Sequence, residues 1–93
     1  MQTFLIGYDL NKTGQDYADL IDAIKKLSST WWHHLDSTWI IKSNSTAIAI
    51  RDILAAHIDG NDELLVVKLT GDGAWAGFND KGTKWLINNL PTT

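Results

Sequence analysis

Short apolar runs alternate along this chain with segments of helical spacing, and this alternation restricts the folds open to it. Residues 4–8 and 63–69 are rich in apolar, aromatic and β-branched side chains, which predicts two buried strands. A third region of similar composition is divided by Asp36-Ser37, a dipeptide that favours turns. It predicts a tight hairpin or a bulged strand over 31–35 and 38–42.

Helical spacing predicts three helices. Apolar residues recur every three or four positions over about 15–28, with acidic residues early and lysines late, as the helix dipole favours. A second helix is expected over about 46–57 and a short third one over 80–90, where Pro91 ends it. Residues suited to N-cap positions precede each helix. They are Thr13 and Asp16, as a variant capping box, then Ser43, Asn44, Ser45 and Thr46, and finally Asn79 and Asp80.

The order β-α-β-β-α-β-α predicts an α+β fold in one domain over 1–93. We expect a ferredoxin-like β-α-β-β-α-β sandwich with an additional C-terminal helix. Right-handed crossovers place the first two helices on one face of the sheet. The other face then needs a cover, either the segment over 75–90 or a second subunit. Five Trp in 93 residues favour a homodimer, with Trp75, Phe78 and Trp85 as interface candidates.

Composition excludes several classes of protein. The chain has no Cys, so it has neither disulfides nor a zinc site built on thiolates. Its net charge of −3 and its single arginine, Arg51, argue against a phosphate-binding basic surface. There is no signal peptide and no apolar run long enough to span a membrane, which predicts a cytoplasmic protein.

Asp9 is the strongest candidate for chemistry. It directly follows the first predicted strand, so its carboxylate is held at the end of that strand, before a helix. Mg²⁺ binds through one or two such carboxylates plus waters, and in a symmetric dimer two copies of Asp9 could share one ion. In the alternative interpretation, Asp9 only caps the following loop through an Asx turn.

Other polar and aromatic residues are weaker candidates. His34 and Asp36 share a strand face if the strand is regular, which would allow an acid–base or metal pair. His33 then points to the opposite face. The alternative, which the pattern favours, is that the histidines are polar residues on a partly solvated hairpin. Ser37, in the predicted turn, and Asn11, in the loop after Asp9, are accessory candidates. The tryptophans suit either a base-stacking platform or core and interface packing, and the acidic balance favours packing.

The strand ending in Tyr8-Asp9, the amphipathic helix and the hairpin Leu35-Asp36-Ser37-Thr38-Trp39-Ile40-Ile41 carry a family resemblance. Together they resemble the small CRISPR-associated ferredoxin-like proteins that partner the spacer integrase, and the related VapD-type toxin ribonucleases. The run over 4–90 is more closely similar to the bacterial and phage group labelled SinR-like, which is distinct from the helix-turn-helix sporulation repressor.

The resemblance implies a ferredoxin-like homodimer. In the CRISPR-associated family an aspartate at the end of the first strand is assigned a metal-dependent nuclease role, and Asp9 matches it. Ser37 and Trp39 match a hairpin pattern that is mainly structural. Residues 10–14 lack the basic side chains that usually follow that aspartate, and a Trp-bearing helix replaces the family's swapped final strand.

Three functions follow as hypotheses. The first is a Mg²⁺-dependent nuclease, or an accessory to nucleic-acid processing, that uses Asp9. The second is a non-catalytic dimeric interaction or regulatory module in phage defence or mobile-element biology. The third is a small-ligand or nucleotide sensor that uses the crevice near Asp9 and Gly14.

Overall fold

The computed structural model describes residues 1–11 and 17–91. Within them the predicted strands and helices are present in the predicted order. The predicted capping residues Thr13 and Asp16, and Gly14, lie outside the described residues. No helix in the described ranges is long and apolar enough to cross a bilayer. The elements are β1 (Gln2–Asp9), α1 (Ala18–Lys26), β2 (Trp31–Leu35), β3 (Thr38–Ser43), α2 (Ala47–Ala55), β4 (Glu63–Lys68) and α3 (Asp80–Asn89).

The four strands form one antiparallel sheet in the order β2-β3-β1-β4, and three helices pack around it. β1 lies inside the sheet, with Phe4 opposite Ile41 of β3 and opposite Lys68 of β4. β2 and β4 are the edge strands. The protein is therefore a small α+β structure, as the alternation of apolar runs and helical spacing predicts.

One face of the sheet, called here the first face, is covered by α1 and α2. Each strand contributes every second residue to this face, because side chains point to opposite sides along a strand. In the helices, apolar residues recur every three or four positions, so each helix presents one apolar side to the sheet. The buried set is Phe4, Ile6, Leu20, Ile24, Trp39, Ile41, Ile50 and Leu54.

The opposite side of the sheet, called here the second face, is partly covered by α3. Trp32 and Ile40 of the sheet pack against Leu86 of this helix. The carbonyl oxygen of Asn89, at the end of α3, accepts hydrogen bonds from Thr3 Oγ1 (2.8 Å) and from Lys42 Nζ (3.3 Å). A cation at a helix C-terminus is favourable, so this contact fixes α3 to the sheet.

Two helix starts follow the predicted capping chemistry. Thr46 Oγ1 accepts from the backbone N–H of Ala49 (3.1 Å), and Asn79 Oδ1 accepts from that of Gly82 (2.9 Å). Each cap satisfies a backbone donor that has no partner inside its helix. All three helices are shorter than their apolar spacing predicts: α1, expected over about 15–28, spans Ala18–Lys26 among the described residues, and α2 and α3 differ less.

Candidate functional site

Asp9 is the last residue of β1 and is exposed. Its cross-strand partner is Glu63, the first residue of β4. Two like charges directly opposite each other destabilise a sheet slightly, which a bound cation would offset. Among the described residues, no group of three or more His, Asp or Glu is placed to hold a metal ion. Asp9 thus lies at an acidic strand end with one carboxylate neighbour.

The described start of the loop after Asp9 is fastened to the turn before β4 through Asn11. Asn11 donates through its backbone N–H to Asp62 Oδ1 (2.8 Å) and through Nδ2 to the carbonyl of Asn61 (2.7 Å). The hydroxyl of Tyr17 also reaches Asp62 (3.0 Å to Oδ1). These bonds give Asn11 a structural role in the described part of the loop.

The β2–β3 turn lies at the same end of the sheet as Asp9. The backbone N–H of Tyr8 donates to the carbonyl of Ser37 (3.1 Å), and Gly7 is the register partner of Thr38. Asp36 and Ser37 are exposed, so this end of the sheet carries accessible carboxylates and a hydroxyl. The structure therefore brings Asp36, Ser37 and Asp9 to the same end of the sheet.

His34 is not part of that group of residues at the end of the sheet. Its ring lies near Trp32 (centroids 5.2 Å apart) and Phe78 (6.2 Å), on the second face. A Cβ at Gly82 would come within 3.2 Å of His34 Nε2, so the glycine lets α3 approach this ring. The register shift in β2 between Trp32 and Leu35 breaks the regular alternation on which pairing with Asp36 depends. His34 is thus a packing residue against α3.

His33 points to the other side of the sheet, as the alternation of strand side chains predicts. Its ring stacks on Trp39 with centroids 3.8 Å apart and an angle of 8° between the planes. Trp39 Nε1 in turn donates to the hydroxyl of Tyr8 (3.0 Å). These contacts complete the first-face core around an indole whose polar atom is satisfied.

The predicted interface aromatics mostly pack within the chain. Trp85 Nε1 donates to Thr30 Oγ1 (2.7 Å), and Phe78 meets Trp32 edge to face at 4.8 Å. Trp75 remains 36% exposed. Two of the three residues therefore help α3 and the segment before it to cover the second face.

That cover is incomplete, and it leaves a cavity of about 390 Å³, called here the apolar cavity. Its floor is the second face of the sheet, and its walls are α3 and the segment over 69–78. Small-molecule sites span about 300–1,000 Å³ and are mainly apolar with a few polar groups. The residues lining the apolar cavity fit that description: they include Leu5, Trp32, Leu35, Ile40, Trp75 and Phe78, with Thr38 and Asp72 among the polar ones.

The edge of β4 is a second accessible feature. The N–H of Leu69 donates to the carbonyl of Thr3 (2.8 Å), so odd-numbered residues of β4 turn their backbone groups toward β1. The backbone groups of Leu64, Val66 and Lys68 therefore point outward, away from β1. Leu65, on the second face, is 56% exposed.

A scan against protein-family models, a search of curated proteins and a search of solved structures each found no match to this chain.

Sequence reasoning missed the apolar cavity and the β4 edge. The segment over 69–79 has neither helical nor strand spacing, so nothing in its pattern shows where it crosses the sheet. The four consecutive apolar residues between Glu63 and Lys68 in β4 are compatible with an edge strand. Such a run also fits a central strand, and only the strand order distinguishes the two.

Proposed function

We propose that this chain is a non-catalytic interaction module that pairs with a second copy of itself through the edge of β4. The antiparallel order β2-β3-β1-β4 is compatible with a ferredoxin-like arrangement, which is part of this proposal, as is the resemblance to SinR-like and CRISPR-associated proteins. A cytoplasmic location is part of the same proposal. The observation that carries it is the regular, apolar and outward-facing edge of β4.

The two edges of the sheet differ in how they discourage pairing. Natural edge strands are protected by bulges, short length or charges. β2 has a register shift between Trp32 and Leu35, and α3 packs beside it. β4 keeps a regular register with β1 along its whole length and carries charges only at its two ends, Glu63 and Lys68. β4 is therefore the edge suited to adding another strand.

Symmetry restricts how two β4 strands can pair. A two-fold axis perpendicular to the sheet makes the strands antiparallel and brings residues of the same face opposite each other. With the axis at Leu65, Leu65 lies opposite the partner's Leu65, and Lys68 lies opposite the partner's Asp62. Leu64 and the partner's Val66, whose backbone groups point outward, then exchange hydrogen bonds.

This register buries the most exposed apolar side chain of β4 and brings Lys68 near the partner's Asp62, which precedes that strand and whose carboxylate also accepts from Asn11 in its own subunit. An opposite-charge pair across strands contributes about 0.2–1 kcal/mol. Moving the axis to Val66 would instead place Lys68 opposite the partner's Leu64, so Lys68 would lose its acidic neighbour. The product is a continuous eight-stranded sheet built from two copies of the four-stranded one.

The oligomeric state tests this proposal. We expect the wild-type chain to sediment as a dimer and Leu65→Lys as a monomer, because two lysines would meet at the axis. The matched control is Ile87→Lys, since Ile87 is equally accessible (60% exposed) but lies on α3. A monomeric wild type at high micromolar concentration, or a Leu65→Lys dimer, would overturn the proposal.

Hydrogen exchange gives a register-specific readout. The amides of Leu65 and Val67 donate toward β1 in monomer and dimer alike, whereas those of Leu64 and Val66 gain partners only in the dimer. We expect Leu65→Lys to abolish protection at the amides of residues 64 and 66 and to leave it at those of 65 and 67. Equal protection of all four amides in the monomer would contradict the edge geometry.

A second candidate function is the Mg²⁺-dependent nuclease. The pair formed by Asp9 and Glu63, exposed and opposite each other across the ladder, favours it. Two carboxylates plus waters suit Mg²⁺, which would polarise a phosphodiester and activate water. The edge dimer separates the two copies of Asp9 by four strand positions, roughly 13 Å, along the strands. An ion shared by both therefore requires a different dimer.

Cleavage of labelled DNA and RNA with Mg²⁺, Mn²⁺ or EDTA tests the second candidate at low salt. A nuclease loses its metal-dependent cleavage in Asp9→Asn while the fold is kept. If Asp9 only caps the loop, Asn substitutes for it and neither cleavage nor binding is detected in either protein. Leu65→Lys separates the two candidate functions, because it disrupts the edge dimer and leaves Asp9 unchanged.

A further inference from the structure

The segment over 70–77 crosses the second face with little to hold it in one conformation. Its residues form neither helix nor strand, and they make no hydrogen bond among the described residues. On one side of the segment, the N–H of Leu69 donates to the carbonyl of Thr3 (2.8 Å). On the other side, Phe78 packs edge to face on Trp32. Exposed backbone between such fixed ends opens at almost no cost in free energy.

This segment contains Asp72-Gly73, one of two Asp-Gly pairs in the chain, and such a pair rearranges without an enzyme. The backbone nitrogen of Gly73 attacks the side-chain carboxyl carbon of Asp72, and the N–H proton leaves with the carboxyl OH as one water. Water then opens the resulting five-membered imide at either carbonyl. One opening restores aspartate, and the other leaves isoaspartate, in which the chain runs through the side-chain carbon. Glycine favours ring closure because it has no Cβ beside the attacking nitrogen.

The other pair, Asp59-Gly60, is an internal comparison because a turn holds it. The backbone N–H of Asp59 donates to Asp62 Oδ2 (2.8 Å), and the carbonyl of Asp59 accepts from the backbone N–H of Asp62 (3.1 Å). Ring closure rotates the backbone of the aspartate, so these bonds must first open. All four residues of the two pairs are exposed. The pairs therefore differ in how their backbone is held and not in their access to water.

We propose that Asp72-Gly73 is a site of spontaneous isoaspartate formation in the folded protein, and that the product is a substrate for the class of methyltransferase that recognises isoaspartyl carboxylates. The exposure of the segment leaves that carboxylate accessible to an enzyme. The site is separate from the β4 edge, so the proposal goes beyond self-association.

The modification changes one wall of the apolar cavity. An isoaspartate adds one carbon to the backbone between two fixed ends, Leu69 and Phe78. The pair lines the cavity beside Trp75, so the added atom displaces this wall. We expect the amide NMR signals of residues 70–77 to shift in the modified protein, while those of the helices on the first face keep their positions.

Ageing of the full chain at neutral pH, below its unfolding temperature, tests the proposal. Trypsin cleaves after lysine and arginine, so it places the two pairs on separate peptides, 52–68 and 69–81. Isoaspartate in each peptide is quantified by its separate chromatographic elution and by methylation with an isoaspartyl methyltransferase. We expect at least about tenfold more isoaspartate in the second peptide than in the first. In urea, where neither backbone is held, we expect the two yields to become similar.

Glycine variants at the two pairs are matched controls. A Cβ at Gly73 would make only ordinary contact with Leu90 Cδ1 (3.6 Å), and one at Gly60 would meet nothing within 4 Å. Both substitutions by alanine therefore keep the fold. We expect Gly73→Ala to lower the yield of isoaspartate at Asp72 about tenfold, because a Cβ crowds the closing ring, and Gly60→Ala to leave it unchanged.

Several results would overturn the proposal. They are an absence of isoaspartate at Asp72 in the folded chain, equal yields at Asp72 and Asp59, and an unchanged yield in Gly73→Ala. An isoaspartate that is detected by chromatography but is not methylated would overturn its role as an enzyme substrate. Leu65→Lys, aged in parallel, should give the wild-type yield, which separates this test from the failure of the dimer.

Discussion

The two faces of the sheet are closed to different degrees. Two helices and eight buried hydrophobic side chains close the first face, whereas one helix and three such side chains close the second. On the first face, Nε1 of the buried Trp39 donates a hydrogen bond. On the second face, Nε1 of the buried Trp32 has no partner within the described ranges. We therefore expect the first face to supply most of the stability, whereas the second face retains a cavity and a buried donor without a partner among the described residues.

The largest expected effect is on the free energy of unfolding, when the same substitution, Leu→Ala, is made on each face. Leu54 and Leu86 are both buried, on α2 and α3 respectively. We expect Leu54→Ala to reduce the free energy of unfolding by about 3–4 kcal/mol and Leu86→Ala by about 2 kcal/mol. Leu86 already borders the apolar cavity, so its truncation removes fewer well-packed contacts.

Urea unfolding at equilibrium measures both values, with Ile48→Ala on the exposed side of α2 as the control. A larger loss for Leu86→Ala than for Leu54→Ala would reverse the comparison between the faces.

A medium effect comes from the two buried indoles. Trp39→Phe loses the hydrogen bond to Tyr8 and the stacking with His33, and we expect a loss of about 2 kcal/mol or more. Trp32→Phe removes a donor that has no partner, so the smaller packing loss is offset and the change should stay within about 1 kcal/mol.

Thermal or urea denaturation of the matched pair tests this contrast. If Trp32→Phe destabilises the protein as much as Trp39→Phe does, then Trp32 Nε1 has a partner in solution.

The smallest expected effect concerns the two capped helices. Thr46→Ala and Asn79→Ala each remove one N-cap bond and should cost about 1 kcal/mol. We expect Asn79→Ala to speed hydrogen exchange in α3 while β1 stays protected, because the second face can open without the first. Exchange of α3 and β1 with one common free energy of opening would show that the faces unfold together.

Sequence predicted the parts of this fold that depend on local spacing. The succession of strands and helices along the chain follows from alternating apolar runs and helical spacing, and the caps at Thr46 and Asn79 follow from side chains that can accept a backbone N–H. The opposite orientations of His33 and His34 also follow from strand geometry. These features need only a few neighbouring residues to be specified.

The remainder depends on contacts between distant segments. No local pattern indicates that Gly82 opens space for the ring of His34 or that Trp85 donates to Thr30. Asp9 was correctly placed at a strand end, yet its opposition to Glu63 depends on which strand lies beside β1. The chemistry attributed to Asp9 stays a prediction, because position alone does not define a reaction.

The bond from Thr3 to the end of α3 also bears on how the protein is made. It joins residues that are 86 positions apart, so the ribosome must synthesise nearly all of this chain before the second face can close. Until then a nascent sheet would expose Trp32 and Ile40. Because α3 follows the other described helices and strands along the chain, synthesis leaves an interval in which a chaperone, or another nascent copy, has access to the uncovered sheet.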